Sequence, residues 1–481
     1  MNVRVGKTAT ASSFPVAAKR ALADEQLRRN VQHATNVIRE KRSLRVEEMS
    51  DWQQLRDAGS AIKAHTLHYL DHYLVEFERK CERAGGHVHW ARDAGEANAI
   101  AIQLIRQYGG TEVIKVKTMT SDEIQMNAAL QVAGITPYET DLADMIVQMG
   151  DDEPSHIVVP ALHRNRFEIA EMFRRNMSRP ELTAEPGELA SAARDYLRER
   201  FMRVKIGICG ANFAIAETGA VCVVESEGNG RMCITMPETL IALIGIEKVI
   251  PTMQDLEVFL QTLPRSATGE RMNPYNSLWT GVLPGDGPQA FHVILLDNGR
   301  SDLLVEDRER ETLACIRCGA CLNACPVYRE TGGKAYGSIY SGPIGAILSP
   351  QLQQLKHSRS LPYASTLCGA CYEVCPVKIN IPETLIHLRG RITREEQSTL
   401  RGKLSPENIA MQAVAKIFLS PRRYEAAQRF ARIAQLLFQH QGQVTGLPGI
   451  AGGWTRFRDL RPIPKQSFRE WWNMRGEKES K

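Results

Sequence analysis

Seven of the chain's eleven cysteines fall in two short stretches, LACIRCGACLNACPVYRETGG (313–333) and STLCGACYEVCPVKINIPE (365–383). The first reads Cys315-x2-Cys318-x2-Cys321-x3-Cys325-Pro326, the spacing with which bacterial ferredoxins hold 4Fe–4S clusters. Two intervening residues let the chain curl so that three thiolates converge on one cubane. The fourth cysteine comes three residues later, points away, and in two-cluster proteins ligates the other cluster. Gly319 and Ala320 are small, so backbone amides can approach the cluster sulfurs. A structural zinc module is the competing chemistry, but zinc sites join one C-x-x-C pair to a second pair of ligands. Four cysteines in one loop and three in its mate, each closed by Cys-Pro, favour iron and sulfide.

The second stretch is Cys368-x2-Cys371-x3-Cys375-Pro376, with Ser365 where a first cysteine would fall. Crossing the patches gives one complete set, Cys315, Cys318, Cys321 and Cys375. The other set, Cys325, Cys368 and Cys371, is one thiolate short. Three alternatives follow: a 4Fe–4S cluster with a non-cysteine fourth ligand, Ser365 or water; a 3Fe–4S cluster; or a cysteine from elsewhere. Cys81, Cys209, Cys222 and Cys233 are the cysteines left for that last role, and the sequence favours none of them; Cys209, Cys222 and Cys233 have the apolar surroundings of packed side chains.

The elements that must position these loops are readable from periodicity. Residues 15 to 80 have helical spacing, with Ile62, Leu67, Leu70, Leu74 and Phe77 on one face and Gly85-Gly86 as the stop. His65, His68 and His72 share a face of that helix, with no other ligand pattern beside them. From there the chain alternates: HVHWA (87–91) as a strand, AGEANAIAIQLIRQYG (94–109) as a helix, EVIKVK (112–117) as a strand. SDEIQMNAALQVAG (121–134) reads as a helix with a Ser N-cap. ITPYET, DLADMIVQMG and SHIVVP (155–160) continue as strand, helix and strand. Such alternation predicts βαβ units and a parallel sheet, an α/β fold. His87 and His89 lie on one strand face and are read as structural.

Apolar runs at 221–224 and 241–250 mark buried elements, and ESEGNGR (225–231) a turn. Glu217, Thr218, Glu225, Asn229 and Arg231 crowd polar groups at strand ends and are candidates for a small-molecule site, with turn and cap chemistry as the plainer account. A long loop is expected before a final strand at 291–296, and helix again over 405–440. No G-x-G-x-x-G and no Walker loop is present, so no nucleotide cofactor is indicated.

No apolar run reaches the length of a membrane span, and the opening MNVRVGKTATASSFPVAAKR holds no continuous apolar segment. The expected compartment is the reducing cytoplasm, where clustered cysteines bind metal rather than form disulfides. From Leu388 onward 18 Lys and Arg stand against 8 Asp and Glu, a net of +10 that leaves −5 for the rest of a chain totalling +5. A basic tail is a candidate for peripheral contact with a membrane surface or an acidic partner. A solvated helical face explains it equally well. It has no nucleic-acid recognition module and no interleaved aromatics, so nucleic acid is not expected as a partner.

The paired patches, together with PSHIVVPALHRNR, GANFAIAETGAVCVVESEGNGR and KAYGSIYSGPIGAIL, resemble the lactate-utilisation protein B family over nearly the whole chain. The resemblance implies four regions: an N-terminal helical segment (1–80), a lactate-utilisation (LUD) domain with the fold of ribose-phosphate isomerases and CoA transferases (81–300), an α-helical ferredoxin-type two-cluster domain (301–387), and a basic helical C-terminal region (388–481). It also implies two 4Fe–4S clusters and a role as an electron carrier within a multi-subunit system oxidising L-lactate to pyruvate, between donor and acceptor proteins. No flavin or nicotinamide fingerprint marks a catalytic centre, so the chain is expected to be a component of a lactate dehydrogenase complex rather than a catalytic subunit alone. A redox-sensing or ligand-binding regulator with a labile cluster is the alternative.

Overall fold

Runs of buried β-branched and leucine residues set the main sheet. Thr239–Gly245 is buried at every position and Ala290–Leu296 at nearly every one, as strands covered on both faces must be. The computed structural model describes residues 13–479 apart from 354 and 457. Residues up to Arg389 form one compact unit, and Gly390 onward a second.

The first unit holds strands β1 (Gly86–Ala91), β2 (Glu112–Lys115), β3 (Thr136–Glu139), β4 (Ile206–Cys209), β5 (Phe213–Ile215), β6 (Ala220–Glu225), β7 (Thr239–Gly245), β8 (Val249–Ile250), β9 (Tyr275–Trp279) and β10 (Ala290–Leu296). Six form a parallel sheet in the order β1-β10-β7-β4-β2-β3. Helices cover its faces, and Ile105, Val113, Ile208, Ile241 and Ile294 pack in one core. The α/β expectation holds. A second sheet, β8-β5-β6-β9, is built on the β5–β6 hairpin. Gly219 turns that hairpin at φ +72, and a Cβ there would meet the Cys81 backbone nitrogen at 2.3 Å. Glycine therefore lets the helix carrying Cys81 close on the hairpin.

Four helices precede the sheet: α1 (Phe14–Ala23), α2 (Glu25–Glu47), α3 (Trp52–His68) and α4 (Leu70–Arg83). The single helix expected through residue 80 is broken at Tyr69, whose φ −113 and ψ 35 lie outside the helical region. The break turns Leu70, Leu74 and Phe77 onto the sheet while Lys63, Thr66 and Leu67 stay buried on α3. α1 and α2 pack against the helix Pro326–Thr331, and α2 also against the helix Ala320–Ala324. The N-terminal helices thus hold the cysteine segment.

Three further expectations need correction. SHIVVP is not a strand. Its turn is closed locally, by Ser155 N donating to Pro160 O at 2.9 Å and by the His156 ring accepting from the Val158 and Val159 amides at 3.0 Å each. Those side-chain bonds replace the ladder that a strand would need. Residues 121–134 form two short helices, Met119–Glu123 and Met126–Val132, broken at Gln125 (φ 53). Ser121 sits inside the first of them and accepts from Lys115 rather than capping. The loop expected before residue 291 contains β9, which pairs with β6.

In the second unit the helices Pro406–Phe418 and Pro421–Ala434 pack together, separated at Ser420-Pro421. Its final helix, Phe468–Glu479, is tied to the second of these by Arg432–Glu470 at 3.0 Å and Arg469–Glu425 at 3.3 Å. No helix among the described residues is long and apolar enough to cross a membrane.

Candidate metal centre

The two cysteine patches have the same backbone. Arg317 (φ 62) and Leu367 (φ 56) are left-handed just before the second position of each motif, and Gly319 (φ 74) and Gly369 (φ 84) just after it. A five-residue helix follows in each case, Ala320–Ala324 and Ala370–Val374. Cys325 and Cys375 then leave in extended conformation, at ψ 120 in both, ahead of Pro326 and Pro376. The two short helices pack against each other. Gly319 is needed twice over: its φ is positive, and a Cβ would press on Val158 at 3.1 Å and His156 at 3.4 Å. The irregular SHIVVP turn therefore forms a wall against the first patch.

Packing the helices brings Cys315, Cys318, Cys321 and Cys375 onto one cavity, closed by Ile157, Ile316, Ile344, Val377 and Ile379. Backbone amides aim at the sulfurs: Arg317 N lies 3.4 Å from Cys315 Sγ, and Ile379 N 3.4 Å from Cys375 Sγ. Burial pushes the Cys375 thiol up to about 11, against the pull of the Ile379 and Val377 amides. Cys318 and Cys321 are raised further, by burial and then by neighbouring cysteines. Cys325, Cys368 and Cys371 make a second neighbourhood. Burial raises Cys371 to about 12, and Cys325 and Cys368 add to the rise. Cys325 is raised by burial and by Cys368, against the Tyr328 and Val327 amides. Cys368 is exposed.

Sulfurs this crowded repel one another as thiolates unless a cation is shared among them. A set of soft sulfur donors, several of them drawing on backbone amides and most of them buried, fits an iron–sulfur cluster.

Charge is concentrated around the first cavity. Arg317 reaches from the ligand loop to Glu247 at 3.2 Å, and its guanidinium lies 4.7 Å from the Tyr340 ring centre. Glu247 follows β7 directly, and the fully buried Arg300 bridges it to Glu123. Arg300 holds Glu123 through two bonds, 2.9 and 2.8 Å, and the Tyr340 hydroxyl donates to the same carboxylate at 2.6 Å. Burial opposes ionisation of Glu247, but Arg300, Arg317 and Lys248 outweigh it and bring its pKa to about 2. Burial pulls Lys63 down to about 7 and Lys248 to about 8, with Glu247 opposing both shifts. In open α/β sheets ligands bind outside the carboxyl ends of the strands. Here the ends of β7 and β10 are joined to the cysteine segment through this network.

On the other side, α2 and α3 clamp the second patch. Arg56 Nε donates to Cys375 O at 2.8 Å and its Nη2 to Tyr372 O at 3.0 Å, while Arg42 donates to Val374 O at 3.0 Å. Sequence reading missed Arg42, Arg56, Lys63, His156 and Glu247, which lie far from the motifs. Arg317 left one signal, a lone charge inside CIRCG.

The other candidates are structural. Glu217 accepts from Met253 N at 3.0 Å, capping the helix Met253–Ala267, and Thr218 accepts from Ala220 N. Glu225, at the far end of β6, accepts from the Glu227, Gly228 and Arg231 amides. Asn229 bonds Thr140, and Arg231 is exposed. These five residues divide between opposite ends of a strand and form no common site. His65, His68 and His72 are exposed, His65 bonding the Tyr73 hydroxyl at 2.9 Å. His89 bonds His292 at 3.0 Å, and His87 stacks on the same ring. Cys81, Cys209, Cys222 and Cys233 are buried within the α/β elements, and burial raises the first three to about 12.

Comparison with known proteins follows the same division. The LUD domain family matches residues 74–296, the 4Fe-4S dicluster domain residues 311–379, and the C-terminal domain of lactate utilisation protein B residues 388–477. Lactate utilization protein B 1 of Bacillus mycoides is 41% identical over 452 residues, covering 94% of this chain and 93% of that protein. Lactate utilization protein B of Oceanobacillus iheyensis is 40% identical over 487 aligned positions, covering 100% and 99%. The Bacillus subtilis protein of that name is 40% identical, covering 98% and 97%. A DUF162 family crystal structure from Deinococcus radiodurans aligns with 47% of this chain at 14% identity and a TM-score of 0.28.

Proposed function

The chain belongs to the lactate utilization protein B family, and from that premise we propose that it is the iron–sulfur electron-transfer subunit of an L-lactate oxidation system. One observation carries the reading: Cys375, from the second patch, lines the same cavity as Cys315, Cys318 and Cys321. In this reading those four residues hold one 4Fe–4S cluster, and Cys325, Cys368 and Cys371 hold a second. Held by these residues, two clusters would supply one-electron chemistry, through which a two-electron oxidation elsewhere could be passed on in single steps. Ile157, Ile344, Val377 and Ile379 keep water from the first site, and Lys63, Lys248 and Arg317 place positive charge beside Cys315. Exposed Cys368 brings the second site to the surface, where a donor or acceptor protein can approach. Oxidation of lactate itself is assigned to a partner subunit. The basic second unit is assigned to docking among those subunits.

The test is anaerobic purification, iron and sulfide analysis, and EPR of oxidised and reduced protein. Two cubanes per chain are expected, with reduction by lactate only when partner subunits are added. Colourless, zinc-rich protein would sink the proposal. A second reading, a redox-sensing regulator, also draws on the exposure of Cys368. A sensor would lose its second cluster in air and change its binding partner, without lactate-dependent turnover.

A further inference from the structure

We infer that the Ser365 hydroxyl oxygen is the fourth protein ligand at the site formed by Cys325, Cys368 and Cys371. The inference rests on the two-cluster reading above. Ser365 stands three residues before Cys368, as Cys315 stands three before Cys318. The backbone between is the same, since Arg317 and Leu367 share the left-handed conformation in front of the next cysteine. The side chains also occupy equivalent places. Arg317 N lies 3.4 Å from Cys315 Sγ, and Leu367 N lies 3.1 Å from Ser365 Oγ. One loop thus presents a sulfur and the other an oxygen at the same point of the same turn.

Ser365 is also held in place. Arg389 donates to Pro362 O at 2.9 Å and to Ser365 O at 3.3 Å, which fixes the chain entering the turn. The other four cysteines offer no substitute: Cys81 lies on α4, Cys209 ends β4, Cys222 is within β6, and Cys233 is in the helix Asn229–Thr235. Their sulfurs belong to the α/β core. On binding iron, the hydroxyl gives its proton to solvent, which the half-exposed loop admits. Oxygen is a harder donor than thiolate, so the iron it holds is the one most easily lost.

Full-length parent, Ser365→Ala and Ser365→Cys proteins would be prepared anaerobically and compared by iron and sulfide content, Mössbauer spectroscopy and EPR. The parent is expected to carry the full iron of two cubanes. Ser365→Ala should lose one iron per chain and gain the oxidised-state signal of a three-iron cluster. Ser365→Cys should keep all its iron and outlast the parent several-fold in air. The signal of the four-cysteine site, unchanged in both variants, reports an intact fold. Full iron and unchanged spectra in Ser365→Ala would overturn the assignment, as would a parent already one iron short. A parent without sulfide would instead overturn the two-cluster reading itself.

Discussion

Arg317, Lys63 and Lys248 set the charge that a negatively charged centre at the first cavity would feel. Buried positive charges next to a thiolate cluster favour its reduced, more negative state, so removing a cation lowers the potential. Lys63 gives the cleaner test, because Glu247 keeps Arg300 and Arg317 as partners when it is gone. At pH 6, below the value of about 7 to which burial brings Lys63 and so with its ammonium retained, Lys63→Met is expected to lower one of two one-electron midpoints by an interaction on the order of 1 kcal/mol, about 40 mV. EPR-monitored redox titration reads it, and an unchanged or raised pair of midpoints excludes the role. Cluster ligation constrains spacing within a loop, which is why the seven cysteines stood out as candidate ligands in the sequence. Lys63 was not, because it meets Cys315 across some 250 residues, through the packing of α3 on the carboxyl end of the sheet.

Among elements, the 155–160 turn shows what periodicity leaves out. Its β-branched run Ile157-Val158-Val159 has strand propensity, but prolines stand at 154 and 160 and His156 takes two amide protons that a neighbouring strand would otherwise bond. With its Nδ1 accepting from both amides, the ring is the neutral Nε2–H form, and that proton faces Asn323 Oδ1 at 3.2 Å, between Cys321 and Cys325. Burial, and after it Lys117, brings the ring's pKa down to about 3, so it stays neutral at ordinary pH. His156→Ala leaves two inner amides without an acceptor and opens space beside Gly319. A loss of about 2 kcal/mol or more is expected, read as a lower anaerobic unfolding midpoint together with reduced iron occupancy. Loss of neither would mean that the ring only fills space. The main sheet was legible because βαβ alternation is local. β9 and the break at Tyr69 were not, since each is decided by what it packs against: β9 by the edge of β6, and Tyr69 by the turn from the cysteine segment to the sheet.

On the scale of the whole molecule, chemistry and contact are divided between the two units. All seven motif cysteines lie in the first unit, before Gly390. In the proposed function, the second unit is the part that partner subunits would recognise. Phe468 is 70% exposed and Trp472 58%, stacked 5.8 Å apart, with Trp471 beside them. Phe418, Phe430 and Ile433 are exposed as well. The exposed cluster of Phe468, Trp471 and Trp472, within a region carrying +10 from Leu388 onward, would suit a partner surface with an apolar centre and an acidic rim. The aromatic helix is fastened by Arg432–Glu470 and Arg469–Glu425, so its rings can be exchanged without losing those ties. Replacing Phe468, Trp471 and Trp472 by Ser should leave iron and sulfide per chain unchanged. Lactate-dependent reduction in the presence of partner subunits should fall at least about tenfold, the loss of about 1.4 kcal/mol of docking, with the deficit recovered at higher partner concentration. If reduction keeps its rate at limiting partner, electrons enter without this surface, and exposed Cys368 becomes the place to look for the contact.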